Sequence, residues 1–131
     1  MMNTYHEVLK RFPEIEAHLS EGDEALPYLY FIYIAWWVES LSRSEVTSDV
    51  VMRISSFGDW CYSQPKGKDA SDDLGTILMV GLYETLGASD SGRLVLSKIW
   101  SKEYVRDGEE YLTQWLGKSA YDKLCGEYNA D

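Results

Sequence analysis

Apolar residues recur at helical spacing along most of the chain, and the alternation typical of strands is scarce. A first helix is predicted from about Thr4 to Arg11. Pro13 then starts a second, short helix that ends near Gly22, since proline is tolerated in a first helical turn. The opening of the chain therefore predicts two short helices in succession.

The segment LPYLYFIYIAWWVES, residues 26–40, is rich in aromatic residues and carries only one charge, Glu39. Pro27 stands where a helix would begin, and apolar side chains surround the cylinder, which is typical of a buried helix. The β-forming residues of the segment leave a strand as the alternative. One broad face of this predicted third helix is formed by Leu29, Tyr33, Trp36, Trp37 and Leu41.

Turn-forming residues separate the later helices, most clearly in SQPKGKDASDD at 63–73. Gly87 and Gly117 are placed to end the fifth and seventh helices. Later helix starts are predicted at Thr47 or Ser48, at Ser71 with Asp72 and Asp73, and at Asp90 with Ser91, while Tyr104 and Tyr111 belong to the seventh helix and Tyr121 to a last short one.

These elements predict an all-α fold: one domain over residues 1–131, built as a helical bundle or as stacked helical hairpins of about seven helices. A chain of 131 residues can bury a sizeable core without disulfide or metal support. The centre of that core is predicted at Leu29, Tyr33, Trp37, Ile54, Phe57, Leu78 and Leu82.

The charge of the chain narrows the classes of partner. A net charge of −10 argues against nucleic-acid binding, because phosphates would be repelled. It favours a cationic partner and fast association, although acidity that only keeps the protein soluble is the plainer alternative. The run from Leu26 to Val38 is too short to span a bilayer, and the N-terminus lacks an apolar signal region. We therefore expect a cytoplasmic protein with neither nucleic-acid nor membrane partners.

Residues that carry chemistry are few. His6 and His18 could meet Cys61 or Cys125 at a zinc ion, but their spacing matches no zinc pattern. The two cysteines fall at apolar helical positions and suit a reducing compartment, so they are interpreted as small core residues. Glu84 lies on an otherwise apolar helix, where a structural role is favoured over a catalytic one. We expect no catalytic residue, no metal and no cofactor.

Acidic residues are concentrated in two stretches without lysine or arginine, residues 12–26 and 69–91. These stretches flank the aromatic segment, and aromatic side chains ringed by carboxylates suit a basic partner. The alternative is that acids at helix starts only cap helices and complement their dipoles. The predicted partner-binding face consists of Glu21, Asp23, Glu24, Tyr28, Asp69, Asp72 and Asp73.

Three short motifs resemble a family of small, acidic, all-helical bacterial domains of unknown function. They are FPEI at 12–15, LPYLYF at 26–31 and LMVGLYETLG at 78–87, and the resemblance covers roughly residues 5–117. Tyr83 departs from the pattern, since leucine is common at that position. Such domains are similar in size and charge to the immunity proteins that neutralise bacterial toxins. The resemblance brings no catalytic residue with it.

The expectation that follows is a non-catalytic, stoichiometric inhibitor that occludes the active site of a basic toxin. Its carboxylates would imitate a phosphate-rich substrate. The alternatives are another acidic interaction or regulatory module without a toxin partner, and an enzyme. The sequence leaves the oligomeric state open.

Overall fold

The fold was determined as a computed structural model that describes residues 4–23, 26–68 and 73–129. Throughout these ranges the chain forms helices and short connections, with no strand, which confirms the predicted all-α class. Nine α-helices occur there rather than about seven. They are α1 (Thr4–Arg11), α2 (Pro27–Glu39), α3 (Ser48–Tyr62), α4 (Leu74–Ile77), α5 (Glu84–Leu86), α6 (Asp90–Ile99), α7 (Lys102–Asp107), α8 (Glu109–Leu116) and α9 (Lys118–Asn129).

The additional helices arise where a predicted helix is divided. Gly108 separates α7 from α8, so the predicted seventh helix is two short helices. A π-helical turn, Leu78–Tyr83, lies between α4 and α5 and makes one continuous segment with them. The predicted second helix is a 3-10 helix, Pro13–His18, and a further 3-10 turn spans Arg43–Glu45.

Side chains of the predicted types begin several helices. Thr47 is the N-cap of α3, and its hydroxyl accepts a hydrogen bond from the Val50 amide. Ser89 caps α6, which begins at the predicted Asp90. Asp73 caps α4, whereas Ser71 and Asp72 lie outside the described residues.

The third predicted helix is confirmed as α2, but the three α2 residues predicted at the centre of the core do not lie there. Leu29, Tyr33 and Trp37 are half-buried, and Trp36 is 51% exposed. Because the segment is apolar on all sides, its pattern could not select the face that meets the core. The residues that α2 buries are Tyr30, Phe31, Ile34, Ala35 and Val38.

The remaining predicted core residues, Ile54, Phe57, Leu78 and Leu82, are fully buried, as expected. Phe57 lies between Phe12 and Phe31, with ring centroids 5.6 Å and 5.1 Å away. Burying such a ring stabilises the fold by about 1.5–3 kcal/mol. This aromatic centre joins the start of the chain to α2 and α3.

Gly81 allows α2 to approach the π-helical turn closely. A Cβ atom at Gly81 would lie 3.1 Å from Cβ of Phe31 and 3.5 Å from the carbonyl oxygen of Tyr28. A side chain here would therefore push the two segments apart.

Arg53 of α3 ties down the N-terminal segment. Its guanidinium donates to the carbonyl oxygen of Arg11, the last residue of α1, from Nε at 3.0 Å and Nη2 at 2.7 Å. It also binds both carboxylate oxygens of Glu14. The same group lies 5.2 Å from the ring centroid of Phe12 and 4.8 Å from that of Trp37. One arginine thus combines a carbonyl, a carboxylate and two aromatic rings.

Arg43 joins the connection after α2 to the last part of the chain. It binds Glu127 through two hydrogen bonds, at 2.8 Å and 2.9 Å, and Asp90 at 3.2 Å. The hydrogen bonds to Glu127 and then to Asp90 raise the pKa of Arg43, so the group stays charged. Residues 12–42 are therefore fixed near both ends: Arg53 binds Glu14 near the start, and Arg43, which directly follows the segment, binds Glu127.

Candidate functional site

The predicted partner-binding residues take different roles in the structure. Glu21 is exposed, while the carboxylate of Asp23 accepts a hydrogen bond from the Ser20 amide at 2.7 Å. Tyr28 is half-buried and packs on Gly81, with Cδ1 3.6 Å from where a Cβ atom would stand. Glu24, Asp69 and Asp72 lie outside the described residues, so the predicted face as a whole remains a prediction.

Asp73 performs the capping role that was considered as the alternative for it. Its carboxylate accepts hydrogen bonds from the amides of Gly67 and Thr76, each at 3.0 Å, and from the Thr76 hydroxyl at 2.9 Å. The bond from Gly67, and then those from Thr76, hold the pKa of Asp73 below its ordinary value. The carboxylate is therefore charged and fixed in position.

Asp73 also lies at the edge of an aromatic hollow of about 330 Å³. A Cβ atom at Gly75 would lie 3.3 Å from the Tyr62 ring and 3.5 Å from the Asp73 carboxylate, so these groups flank one glycine. Tyr111 and Trp115 of α8 line the same hollow. Three separate parts of the fold, the end of α3, the start of α4 and α8, thus meet here.

Three tyrosines at and beside this hollow form what we term the tyrosine surface: Tyr62, Tyr104 and Tyr111. Their side chains are 61%, 45% and 48% exposed, which is unusual for such large rings. Burial, and then the neighbouring Tyr104 and Tyr111, raise the pKa of Tyr62. Tyr62 of α3 and Tyr111 of α8 line the hollow together, and Tyr104 of α7 lies beside them.

Contacts beneath Tyr104 and Tyr111 hold these two rings in place. Trp100 meets the buried ring of Tyr83 edge-on at 5.3 Å and the ring of Tyr104 at 5.5 Å. Tyr111 packs on Trp115 at 6.1 Å. Exposed rings supported in this way lose little conformational freedom when a partner covers them.

Carboxylates accompany the tyrosine surface along α7 and α8. Glu103 and Glu110 directly precede Tyr104 and Tyr111 in the chain, and all four residues are exposed. Asp107 lies between the two tyrosines in sequence, beside the Arg106 guanidinium at 3.3 Å. Exposed carboxylates thus accompany the rings along α7 and α8, while Lys66 lines the hollow itself.

A second aromatic hollow, of about 350 Å³, lies on the side of α2 that was predicted to face the core. We term it the indole hollow; its lining consists of His18, Tyr33, Trp36, Trp37 and Ser40. Tyr33 contacts the Trp36 ring at 5.6 Å and the His18 ring at 6.2 Å. The hollow is therefore built by α2 and the 3-10 helix that precedes it.

Neither aromatic hollow was predicted, although one sequence signal points to the tyrosine surface. Val105 and Leu112, seven residues apart, are buried, and each directly follows a tyrosine. Tyr104 and Tyr111 repeat at the same interval, so one face of α7 and α8 enters the core while the adjacent face presents rings. No such signal exists for the indole hollow, because α2 is apolar on every side.

A hollow of about 600 Å³ lies between α3 and the end of α6. Its lining is a mixture of apolar side chains, serines and the opposite charges Asp59 and Lys98, which select no particular occupant.

Burial raises the pKa of the Cys61 thiol to about 12, as suits a core cysteine rather than a nucleophile.

Residues 4–23, 26–68 and 73–129 contain neither a cluster of metal ligands nor a membrane-spanning helix. Among these residues no three or more His, Cys, Asp or Glu side chains are grouped so that they could hold a metal ion. Within the same ranges every helix is too short or too polar to cross a membrane.

Comparison with known proteins found no matching family model, no curated relative and no solved structure of significant similarity.

Proposed function

We propose that this protein is a non-catalytic, stoichiometric inhibitor that binds a cationic protein and occludes its functional surface, as an immunity protein does with its toxin. The observation that carries the proposal is the tyrosine surface. Tyr62, Tyr104 and Tyr111 are all exposed, and half-buried tryptophan rings support Tyr104 and Tyr111 from below.

Tyrosine is well suited to anchor a protein partner. Tyrosine, tryptophan and arginine are enriched among the residues that dominate binding energy, and truncating such an anchor typically costs about 2 kcal/mol or more. The tyrosine surface offers three anchors around a hollow into which a partner side chain could insert. Among the described residues that line the hollow, Cys61 is a buried thiol and the Asp73 carboxylate is held by three hydrogen bonds, so the arrangement resembles the anchoring centre of an interface more than a catalytic cleft.

Charge supports a cationic partner. Each arginine of the chain already makes an ion pair with one of the chain's own carboxylates: Arg11 with Glu7, Arg43 with Asp90 and Glu127, Arg53 with Glu14, Arg93 with Asp90, and Arg106 with Asp107. The chain has 22 Asp and Glu residues against 12 Lys and Arg, so carboxylates remain in excess after these pairs form and give the net charge of −10. Such an excess attracts a basic protein and accelerates its association.

The identity of the partner as a toxin rests on the resemblance described above. A module that binds a basic protein without a toxin is the alternative, and it would use the same tyrosine surface. The two differ in consequence: an inhibitor abolishes its partner's activity when it binds, whereas another module need not.

The first test is the gene neighbourhood: we expect a toxin-like protein to be encoded beside this chain, and that protein is then produced with and without the inhibitor. We expect rescue of growth and nanomolar binding by the parent protein. The triple variant Tyr62→Ser, Tyr104→Ser, Tyr111→Ser should weaken binding at least about 100-fold. Met52→Ser is the matched control, because Met52 is also an exposed apolar residue but lies outside the tyrosine surface.

A second variant tests the predicted acidic face separately. Replacing Asp23, Glu24, Asp72 and Asp73 with serine should slow association and flatten its salt dependence. Parental kinetics in this variant would contradict the acidic face alone. Parental affinity in the tyrosine variant would contradict the proposed binding surface, and binding without loss of the partner's activity would exclude an inhibitor.

A further inference from the structure

We propose that the indole hollow binds an arginine side chain of a protein partner. This is a different site from the tyrosine surface, and the inference does not depend on the proposed function. Its lining supplies aromatic rings from Tyr33, Trp36 and Trp37 together with the polar groups of His18 and Ser40. A volume of about 350 Å³ can accommodate one such side chain.

The exposed rings provide the attraction. Trp36 is 51% exposed and meets Tyr33 at 5.6 Å, with their planes inclined at 57°. A guanidinium lying against the face of an indole is stabilised by about 0.5–1 kcal/mol at an exposed site, and by about 2 kcal/mol when water is excluded. Two inclined rings can each turn a negative face toward one flat cation that lies between them.

The charge around the hollow selects a cation. Every residue that lines it belongs to residues 12–42, a segment without lysine or arginine. That segment contains the carboxylates Glu14, Glu16, Glu21, Asp23, Glu24 and Glu39. Glu39 is exposed and lies three residues after Trp36 on α2, which places the two on neighbouring parts of the helix surface. Glu16 is exposed on the 3-10 helix that carries His18.

The fold itself shows how this segment receives a guanidinium. Arg53 lies 4.8 Å from the ring centroid of Trp37 while it binds the carboxylate of Glu14. A ring and a carboxylate from residues 12–42 thus already hold one arginine together. Trp36 and the exposed carboxylates of the same segment offer a second arginine the same two kinds of group.

Ser40 provides a polar contact at the edge of the hollow. Its hydroxyl donates to the Trp37 carbonyl oxygen at 2.6 Å, so its proton is committed to the backbone. The lone pairs of this oxygen remain able to accept a hydrogen bond from a guanidinium N–H group. A guanidinium offers several such donors in one plane, whereas an ammonium group offers a compact charge.

The test is a titration of the whole protein with three short capped peptides that differ in one residue: Gly-Arg-Gly, Gly-Lys-Gly and Gly-citrulline-Gly. Citrulline has nearly the shape of arginine without its charge. Binding is followed by the indole N–H signals of Trp36 and Trp37 in two-dimensional NMR, assigned through Trp36→Phe and Trp37→Phe. We expect the arginine peptide to shift these signals with a Kd of about 1–10 mM, as suits a single side chain.

Trp36→Ala should weaken binding of the arginine peptide at least about tenfold, and Glu39→Gln about two- to threefold. Because Trp36 is half exposed, the variant is expected to fold, and far-UV circular dichroism checks this. Met52→Ala is the control and should bind as the parent does. Equal binding of the citrulline peptide would mean an apolar hollow without preference for charge, and equal binding of the lysine peptide would mean no preference for guanidinium. Either result, or unshifted indole signals, would overturn the proposal.

Discussion

Replacing Arg53 tests how the N-terminal segment is held in place. The side chain is only 23% exposed and joins α3 to the carbonyl oxygen of Arg11 and to the carboxylate of Glu14. Arg53→Met keeps the aliphatic stem but removes every one of these contacts. Arg53→Lys keeps the charge but can reach only one or two of the same acceptors, because an ammonium group lacks the planar fork.

The magnitude follows from the separate contacts. Losing the hydrogen bonds to the Arg11 carbonyl costs about 1–1.5 kcal/mol, since this group ends α1 and has no partner within the helix. The interaction with the Phe12 and Trp37 rings contributes about 0.5–1 kcal/mol. The pair with Glu14, whose side chain is 35% exposed, contributes less than about 1 kcal/mol. We expect a loss of about 2–3 kcal/mol for Arg53→Met and about 1 kcal/mol for Arg53→Lys.

The assay is urea unfolding at pH 7, followed by far-UV circular dichroism and by tryptophan fluorescence. Arg106→Met is the matched control, because Arg106 is 69% exposed and pairs with its exposed neighbour Asp107. Its loss should change the free energy of unfolding by less than about 0.5 kcal/mol. If the free energy of unfolding of Arg53→Met lay within about 0.5 kcal/mol of the parent value, Arg53 would not be what holds the N-terminal segment in place.

Two further measurements test the helix packing and the ion pair. Gly92→Ala should destabilise the fold by about 2 kcal/mol, because its Cβ atom would clash with the Leu86 carbonyl oxygen. Gly126→Ala is the control: it lies in an open part of α9 and should stabilise the fold by about 0.5–1 kcal/mol. The reverse order of stability in urea unfolding would contradict this packing. The hydrogen bond from Arg53 holds the pKa of Glu14 below its ordinary value of 4.5, so the stabilisation from Glu14 is complete above that pH and disappears as the pH falls through the lowered pKa. The difference in unfolding free energy between the parent and Glu14→Gln should therefore shrink below about pH 4.5, and a constant difference from pH 7 to pH 3 would show that the pair does not shift this pKa.

Local signals in the sequence predict most of the helix boundaries. Thr47 and Asp90 mark where α3 and α6 begin, because a capping hydroxyl and an early carboxylate both stabilise a helix start. Gly108 is the exception. It was expected within one helix, but the chain bends there, and a Cβ atom at this position would lie 3.0 Å from the Tyr104 carbonyl oxygen, so a glycine suits the close approach between α7 and α8.

The orientation of α2 could not be predicted for a different reason. Hydrophobic periodicity identifies a buried face only when the opposite face is polar, and α2 has apolar residues on both. Packing against Phe57 and Gly81 decides that Phe31 faces inward, and those contacts join residues far apart in the sequence. Trp36 is exposed as a consequence, so the same ambiguity concealed the indole hollow.

The internal use of every arginine also bears on whether this protein associates with itself. A second copy would carry the same surplus of negative charge, and each of its arginines is already paired with one of its own carboxylates. Bringing two such molecules together adds repulsion that their arginines do not offset, which disfavours a symmetric pair at low salt. The aromatic surfaces are thereby kept available for a molecule of a different kind.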